Sequence, residues 1–377
     1  MRHTYIVERL FDGENFHNDI PVTVEDDRIL GFETINNTPQ TKLKGLLVPG
    51  FIDVQVNGGA GVLFNDNPTL QGIEQISNAH IGYGTSSYLP TVITDELAVM
   101  KKAADAVSEA LKAFSPAVLG IHFEGPHISS EKKGVHSEDY IRELTNVEME
   151  LYAREDIGIK HITIAPEKVS PDVIKTLVKM GVIVSLGHSN ADYDCVIKAV
   201  EAGARGFTHL FNAMSPMQGR EPGMVGAALT SDECWCGIIA DGHHAHWSSL
   251  KLAINSKPKG KIILVTDAMP PVGSKDHKFM LYEQNVYRNG NKLTLKDGRL
   301  AGSALDMATA VRNVVKHINI CLPEALRMAS LYPAQYLGID NELGRIKKGY
   351  VANFTLLDNN NKPISTWING TKIHQIH

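Results

Sequence analysis

Residues 86–123 read SSYLPTVITDELAVMKKAADAVSEALKAFSPAVLGIHF. An apolar, β-branched run from Ser86 to Ile93 leads into Asp95 to Phe114, where Leu97, Met100, Ala104, Val107, Leu111 and Phe114 recur at steps of three and four. A second apolar run, Ala117 to Phe123, follows. Steps of three and four line one face of a helix, whereas a short apolar run between turn signals suits a strand covered on both faces. The stretch therefore predicts a strand, a helix and a second strand parallel to the first.

Working outward, six more runs continue the alternation: Leu47 to Val54, His161 to Ala165, Val182 to Leu186, Gly206 to Leu210, Cys236 to Ala240 and Lys261 to Thr266. Gly181 and Gly203 stand where helices would stop before the next strand. Eight strands with covering helices across residues 47–340 predict an α/β fold, a (β/α)8 barrel of the TIM type in preference to a doubly wound open sheet. Two regions break the rhythm. Residues 1–46 and 341–377 hold alternating strand-like pieces (TYIVERLF, IPVTVEDDRILGF, YVANFTLLD, STWINGTKI), which predict a small β-sandwich domain built from both chain termini. Residues 277–300 carry Asn-Gly and Asp-Gly turn signals and predict a β-hairpin inserted after the eighth strand.

Composition narrows the function. The 377 residues carry 37 Lys and Arg against 42 Asp and Glu, a net charge of −5. Such a chain has no global positive field for nucleic acid or an acidic membrane, so any anionic substrate must be met by local groups. With 43% hydrophobic and 21% charged residues, it lies far from the disordered class. Cys195, Cys234, Cys236 and Cys321 form no CxxC pair, and reduced thiols are expected, with Cys234 and Cys236 buried and inert. The opening MRHTYIVERLFDG has no apolar signal core, and no apolar run reaches the roughly 18 residues of a membrane span, so the expected compartment is the cytoplasm.

In such a barrel the chemistry sits at the C-terminal ends of the strands. There the sequence places Gln55 and Asn57, Glu124, His188, His209, Asp241 and His244, and Asp267. Glu124, His188 and His209 offer one carboxylate and two imidazoles, a donor set that suits Zn²⁺ and leaves a position for water. Each taken singly is equally a hydrogen-bonded strand end. Asp267 is either a helix cap or the general base that takes a proton from water and later gives it to a leaving group. The neighbouring histidines of DGHHAH (241–246) point in different directions and cannot all serve one ion; one of them is better read as a donor to substrate. Arg220, in QGREPG, is either a solvated loop charge or a bidentate grip on phosphate or carboxylate.

Eight blocks in order, GFIDVQVNG, HFEGPHI, GHSNA, THLFNAM, GREPG, ADGHH, VTDAM and AGSALDM, resemble the N-acetylglucosamine-6-phosphate deacetylases of the amidohydrolase superfamily, over essentially the whole chain. The resemblance implies metal ligands at Glu124, His188 and His209, and an acyl-carbonyl contact at His136 of KKGVHS. It also implies substrate contacts at Asn212, Ala213, Arg220 and His244, and the catalytic aspartate at Asp267. Many superfamily members carry His-x-His on the first strand for a second metal, where this chain has Gln55-Val56-Asn57. Amides ligate Zn²⁺ poorly, so one divalent ion per subunit is expected, with Fe²⁺, Co²⁺ and Mn²⁺ as alternatives to Zn²⁺. The implied reaction is hydrolysis of N-acetyl-D-glucosamine 6-phosphate to glucosamine 6-phosphate and acetate, by a homodimer or homotetramer. The competing readings are the galactosamine epimer or another small amide and, from a different class, a non-catalytic scaffold.

Overall fold

The computed structural model describes residues 1–113, 115 and 117–375. Eight parallel strands form one sheet in sequential order: Phe51–Val56, Thr85–Ile93, Gly120–Glu124, Ile159–Ile164, Val182–Leu186, Gly206–Phe207, Trp235–Ile238 and Ile262–Leu264. These are the first to eighth barrel strands. The sheet curls until its two edges meet. Asp267 N–H donates to Gln55 O at 3.1 Å, Asn57 N–H to Ala268 O at 2.9 Å, and Val56 bridges Ala268 in parallel. Where the ladder is missing along this seam, the buried Asp53 carboxylate accepts the Thr266 hydroxyl at 2.5 Å and its N–H at 3.3 Å. The expected barrel is thus formed, with a side-chain carboxylate standing in for part of its final pairing.

The reasons are local. The second, third and fifth strands are buried along their whole length, as runs covered on both faces must be. The helix read in residues 95–114 spans Leu97–Lys112 and buries Met100, Ala104 and Val107 on one face; Phe114 lies outside the described residues. Further helices begin at side-chain caps, Ser170 for Pro171–Lys179 and Asp192 for Tyr193–Glu201, each accepting an N–H of its first turn.

Two runs differ from their expected extent. Leu47 to Val54 is divided at Pro49-Gly50: the strand Gln40–Pro49 belongs to the terminal sheet, and the barrel strand starts at Phe51. The sixth strand stops at Phe207, because His209, Phe211 and Ala213 all adopt positive φ and the backbone leaves the extended region.

Both chain ends supply the second sheet. Its seven strands run, in spatial order, Thr371–Gln375, Pro363–Ile368, Phe354–Leu357, Gln40–Pro49, Arg2–Phe11, Phe16–Glu25 and Arg28–Gly31. They make one continuous sheet, antiparallel except where Arg2–Phe11 pairs with Gln40–Pro49. Val7, Leu10, Val22 and Trp367 are among its buried core. The insertion at 277–300 carries three short strands, Lys278–Leu281, Gln284–Asn289 and Lys292–Thr294, packed on Ile93 and Met269 at the barrel mouth.

Candidate active site

A cleft partly open to solvent lies at the C-terminal mouth of the barrel. Asn57, Glu124, His136, His188, His209, Asn212, Ala213, His244 and Asp267 all line it. The sequence separations are large, and the barrel closes them. His188, His209 and Asp267 each follow a strand and each sit at positive φ, of 48°, 35° and 51°. Non-glycine residues there cost of order 1–3 kcal/mol each, a strain that persists where surrounding structure fixes the side chain in place.

The floor of the cleft is a tight triad. His209 Nε2 is 3.0 Å and His188 Nε2 3.3 Å from Glu124 Oε1, and the two ring nitrogens are 3.0 Å apart. Among the described residues this is the one cluster of three or more potential metal ligands, with its donor atoms within 4.8 Å of one another. His188 Nδ1–H donates to Lys132 O at 2.9 Å, which leaves the Nε2 lone pair facing the triad. Two imidazole nitrogens this close, converging on one carboxylate oxygen, are arranged to share a cation rather than two protons. The donor set therefore fits a divalent metal. Burial alone would raise the Glu124 pKa, but the two imidazoles beside it hold it well below the carboxylate range. Burial opposes the charging of His209, yet its bond to Glu124 and the charges of Glu124 and Asp267 raise its pKa.

The two amides at the end of the first strand, Gln55 and Asn57, hold carboxylates. Gln55 Nε2 donates to Glu124 Oε1 at 2.9 Å and to Asp267 Oδ1 at 3.2 Å; Asn57 Nδ2 donates to Asp267 Oδ1 at 2.6 Å. Burial, followed by the charge of Glu124, pushes the Asp267 carboxyl up to about 6, against the opposing pull of His209, His244 and Asn57. Such a group exchanges a proton near neutral pH, which is what a base that later serves as an acid requires.

The remaining residues form the walls. His136 is buried, bonds Thr94 Oγ1 through Nδ1 at 2.8 Å, and has its pKa pushed down to about 3 by burial and by neighbouring His188. His244 Nδ1 donates to Asp241 Oδ2 at 2.7 Å, and Asp241 also accepts the N–H groups of His243 and His244. The DGHH turn thus holds one histidine on the cleft, while His243 is exposed. Arg220 stands on the exposed loop 216–221 and is not among the residues lining the cleft. Sequence reasoning missed Arg299 and Leu300, at the end of the insertion, and Gly302 just beyond it, all of which line the cleft. Arg299 donates to Gly134 O at 2.9 Å, beside His136. A signal was present: an arginine between the Asp-Gly turn and the AGSALDM block.

A sequence model of the amidohydrolase family matches residues 46–373. The chain belongs to the amidohydrolase family. This amidohydrolase is 45% identical over 368 residues to an N-acetylgalactosamine-6-phosphate deacetylase of Shewanella sp. (strain ANA-3), covering 96% of this chain and 93% of that one. It is 39% identical over 328 residues to an N-acetylglucosamine-6-phosphate deacetylase of Haemophilus influenzae, covering 86% and 85%. A crystal structure of the N-acetylglucosamine-6-phosphate deacetylase from Pasteurella multocida superposes with a TM-score of 0.96 over all of both chains, at 36% identity. In this amidohydrolase no helix, among the described residues, is long and apolar enough to cross a membrane.

Proposed function

We propose that the protein hydrolyses the acetamide of N-acetyl-D-glucosamine 6-phosphate, releasing glucosamine 6-phosphate and acetate. The observation that carries this reading is the Glu124, His188, His209 triad facing an Asp267 carboxyl raised to about 6 across one cleft. Bound to the triad, one divalent ion, Zn²⁺ by the donor set, supplies the Lewis acidity that makes water a nucleophile near neutral pH. Gln55 and Asn57, already donating to Glu124 and Asp267, favour a single ion at the strand end where many superfamily members bind a second. Asp267 takes the proton of the attacking water and delivers it to the departing nitrogen. His136, presented from the 129–137 loop, donates to the acyl oxygen as negative charge develops there.

The phosphate is met by local donors: His244, held by Asp241, with Asn212 and Ala213 lining the same cleft. Arg220 on its exposed loop and Arg299 on the rim are the two guanidinium candidates. Four unpaired cysteines support a cytoplasmic enzyme, and we take it to act as a homodimer or homotetramer.

A second reading, the galactosamine epimer, is favoured by the 45% identity to the Shewanella enzyme over nearly the whole chain. The deciding experiment measures acetate release from both 6-phosphates and from their unphosphorylated sugars, with metal analysis of the same sample. Acetate from the glucosamine derivative in preference to its epimer supports the first reading, and the reverse order the second. A metal-loaded protein that releases acetate from neither overturns both.

A further inference from the structure

Of the two ring nitrogens of His209, Nε2 meets Glu124 and His188, while Nδ1 is buried with no hydrogen-bond partner among the described residues. The carbonyl of its own residue already accepts two bonds, from Asn212 N–H at 3.0 Å and Asn212 Nδ2 at 3.1 Å. His188 differs, since its Nδ1–H has Lys132 O at 2.9 Å. An imidazole whose Nε2 lone pair faces a cation carries its hydrogen on Nδ1. A metal-ligating histidine almost always gives that hydrogen to an outer partner, and a buried donor left unmet is destabilising. His209 therefore calls for an acceptor that no described residue supplies. It also lines a second, smaller cavity inside the barrel, walled by residues of the first strand and of the fourth to eighth. Two more residues of that wall bury unbonded nitrogens, His161 Nδ1 and Trp235 Nε1. The Ser185 and Thr208 hydroxyls, 2.8 Å apart, line it as well.

We propose that this cavity is a water site, whose one water accepts the Nδ1–H of His209 and bonds His161 Nδ1 as the other end of a bridge. The space has room for about one water molecule, and a buried water needs about two to four polar partners, which these walls hold. No carboxylate lines the cavity among the described residues, so nothing there calls for a cation. Water both donates and accepts, and it therefore meets His161 Nδ1 in either tautomer of that ring. The bridge ties the ring of His209 to the fourth strand, as Lys132 O ties that of His188 to its own loop. His161 is thus a positioning residue for a metal ligand, acting through the water.

The inference rests on the reading of the triad as the holder of one divalent ion, and the test separates the two. A high-resolution crystal structure of the Zn²⁺-loaded protein should show an ordered water oxygen about 2.7–3.2 Å from His209 Nδ1. Zn²⁺ on His209 Nε2 with no water at Nδ1, or with Nδ1 donating to a protein group, overturns the proposal without any variant. If metal analysis finds Zn²⁺ but the crystal shows none at the triad, it is the reading of the triad that fails. His161→Phe keeps a ring and removes the far end of the bridge. Its affinity for Zn²⁺, measured by competition with a chelator, should fall by roughly 10- to 100-fold, the span of losing an outer partner of a metal ligand. His161→Asn keeps a polar atom near the place of Nδ1 while giving up the Nε2 contact with Tyr336, and it should recover most of the loss. Parental affinity in His161→Phe, or His161→Asn no better than His161→Phe, removes His161 from the bridge.

Discussion

At the scale of single residues, the proposed hydrolysis divides the site into groups that would hold the metal and a group that would move a proton. His188→Ala removes one of three converging donors, and the expected outcome is joint loss of bound metal and activity, read by metal analysis beside the acetate assay. Asp267→Asn tests the other role. Asparagine keeps the shape and can still accept from Asn57, but it cannot take a proton, so kcat should fall about 10²-fold or more while metal content stays near parental. Near-parental turnover, or metal lost in step with activity, would remove Asp267 from the proton path. The triad and Asp267 were legible because each stands at or just past the end of an apolar run, where any one of them could be a hydrogen-bonded strand end but four at equivalent barrel positions converge on one mouth. Thr94 and Arg299 were not. A threonine after a strand is ordinary, and Arg299, although it stands between the Asp-Gly turn and the AGSALDM block, reaches the cleft by the path of the insertion and not from a strand end.

At the scale of elements, the strand count was readable, while the joins were not. Pro49-Gly50 interrupts what reads as one run, and the closing seam depends on Asp53 meeting Thr266 over 213 positions. Burial, well ahead of the opposing hydrogen bonds from Thr266 and Gln55, raises the Asp53 carboxyl from 3.8 to about 7. An acid whose folded pKa lies above its unfolded value holds its proton more tightly when folded. Its stabilising contribution is complete below the unfolded value and is lost as pH rises through the folded one, by up to about 1.4 kcal/mol per unit. Asp53→Asn removes that titration, so its Tm should gain on the parent between about pH 4 and pH 7. Parallel Tm curves for the two would show that Asp53 stays charged in the fold. The insertion yields a second element-scale test. Arg299 is about half exposed, so Arg299→Ala should raise KM for the phosphorylated sugar by roughly tenfold, the scale of one hydrogen bond to a charged group. Arg220→Ala is the control: whichever variant spares an unphosphorylated analogue while weakening the phosphorylated one marks the phosphate contact.

At the scale of the whole molecule, the two sheets share more than a boundary. Phe11, Leu46, Val48, Leu357 and Ile368 belong to the terminal strands yet pack into the barrel's hydrophobic core, and Phe11 is fully buried. Thr355 donates to Gly84 O at 2.7 Å and Thr366 to Ile81 O at 2.8 Å, so the last strands cap the turn that feeds the second barrel strand. An element buried this way cannot detach without exposing the core of the other, which predicts one cooperative unfolding transition and not two. Phe11→Ala should then cost about 3–5 kcal/mol and lower the temperature at which the barrel loses activity, although Phe11 lies far from the cleft in sequence and belongs to the other sheet. Hydrogen exchange supplies the check: peptides covering Arg2–Phe11 and Val182–Leu186 should lose protection together in the parent and together, earlier, in the variant. Early loss confined to the terminal strands, with the barrel peptides and turnover unchanged, would make the terminal sheet an independently folding appendage.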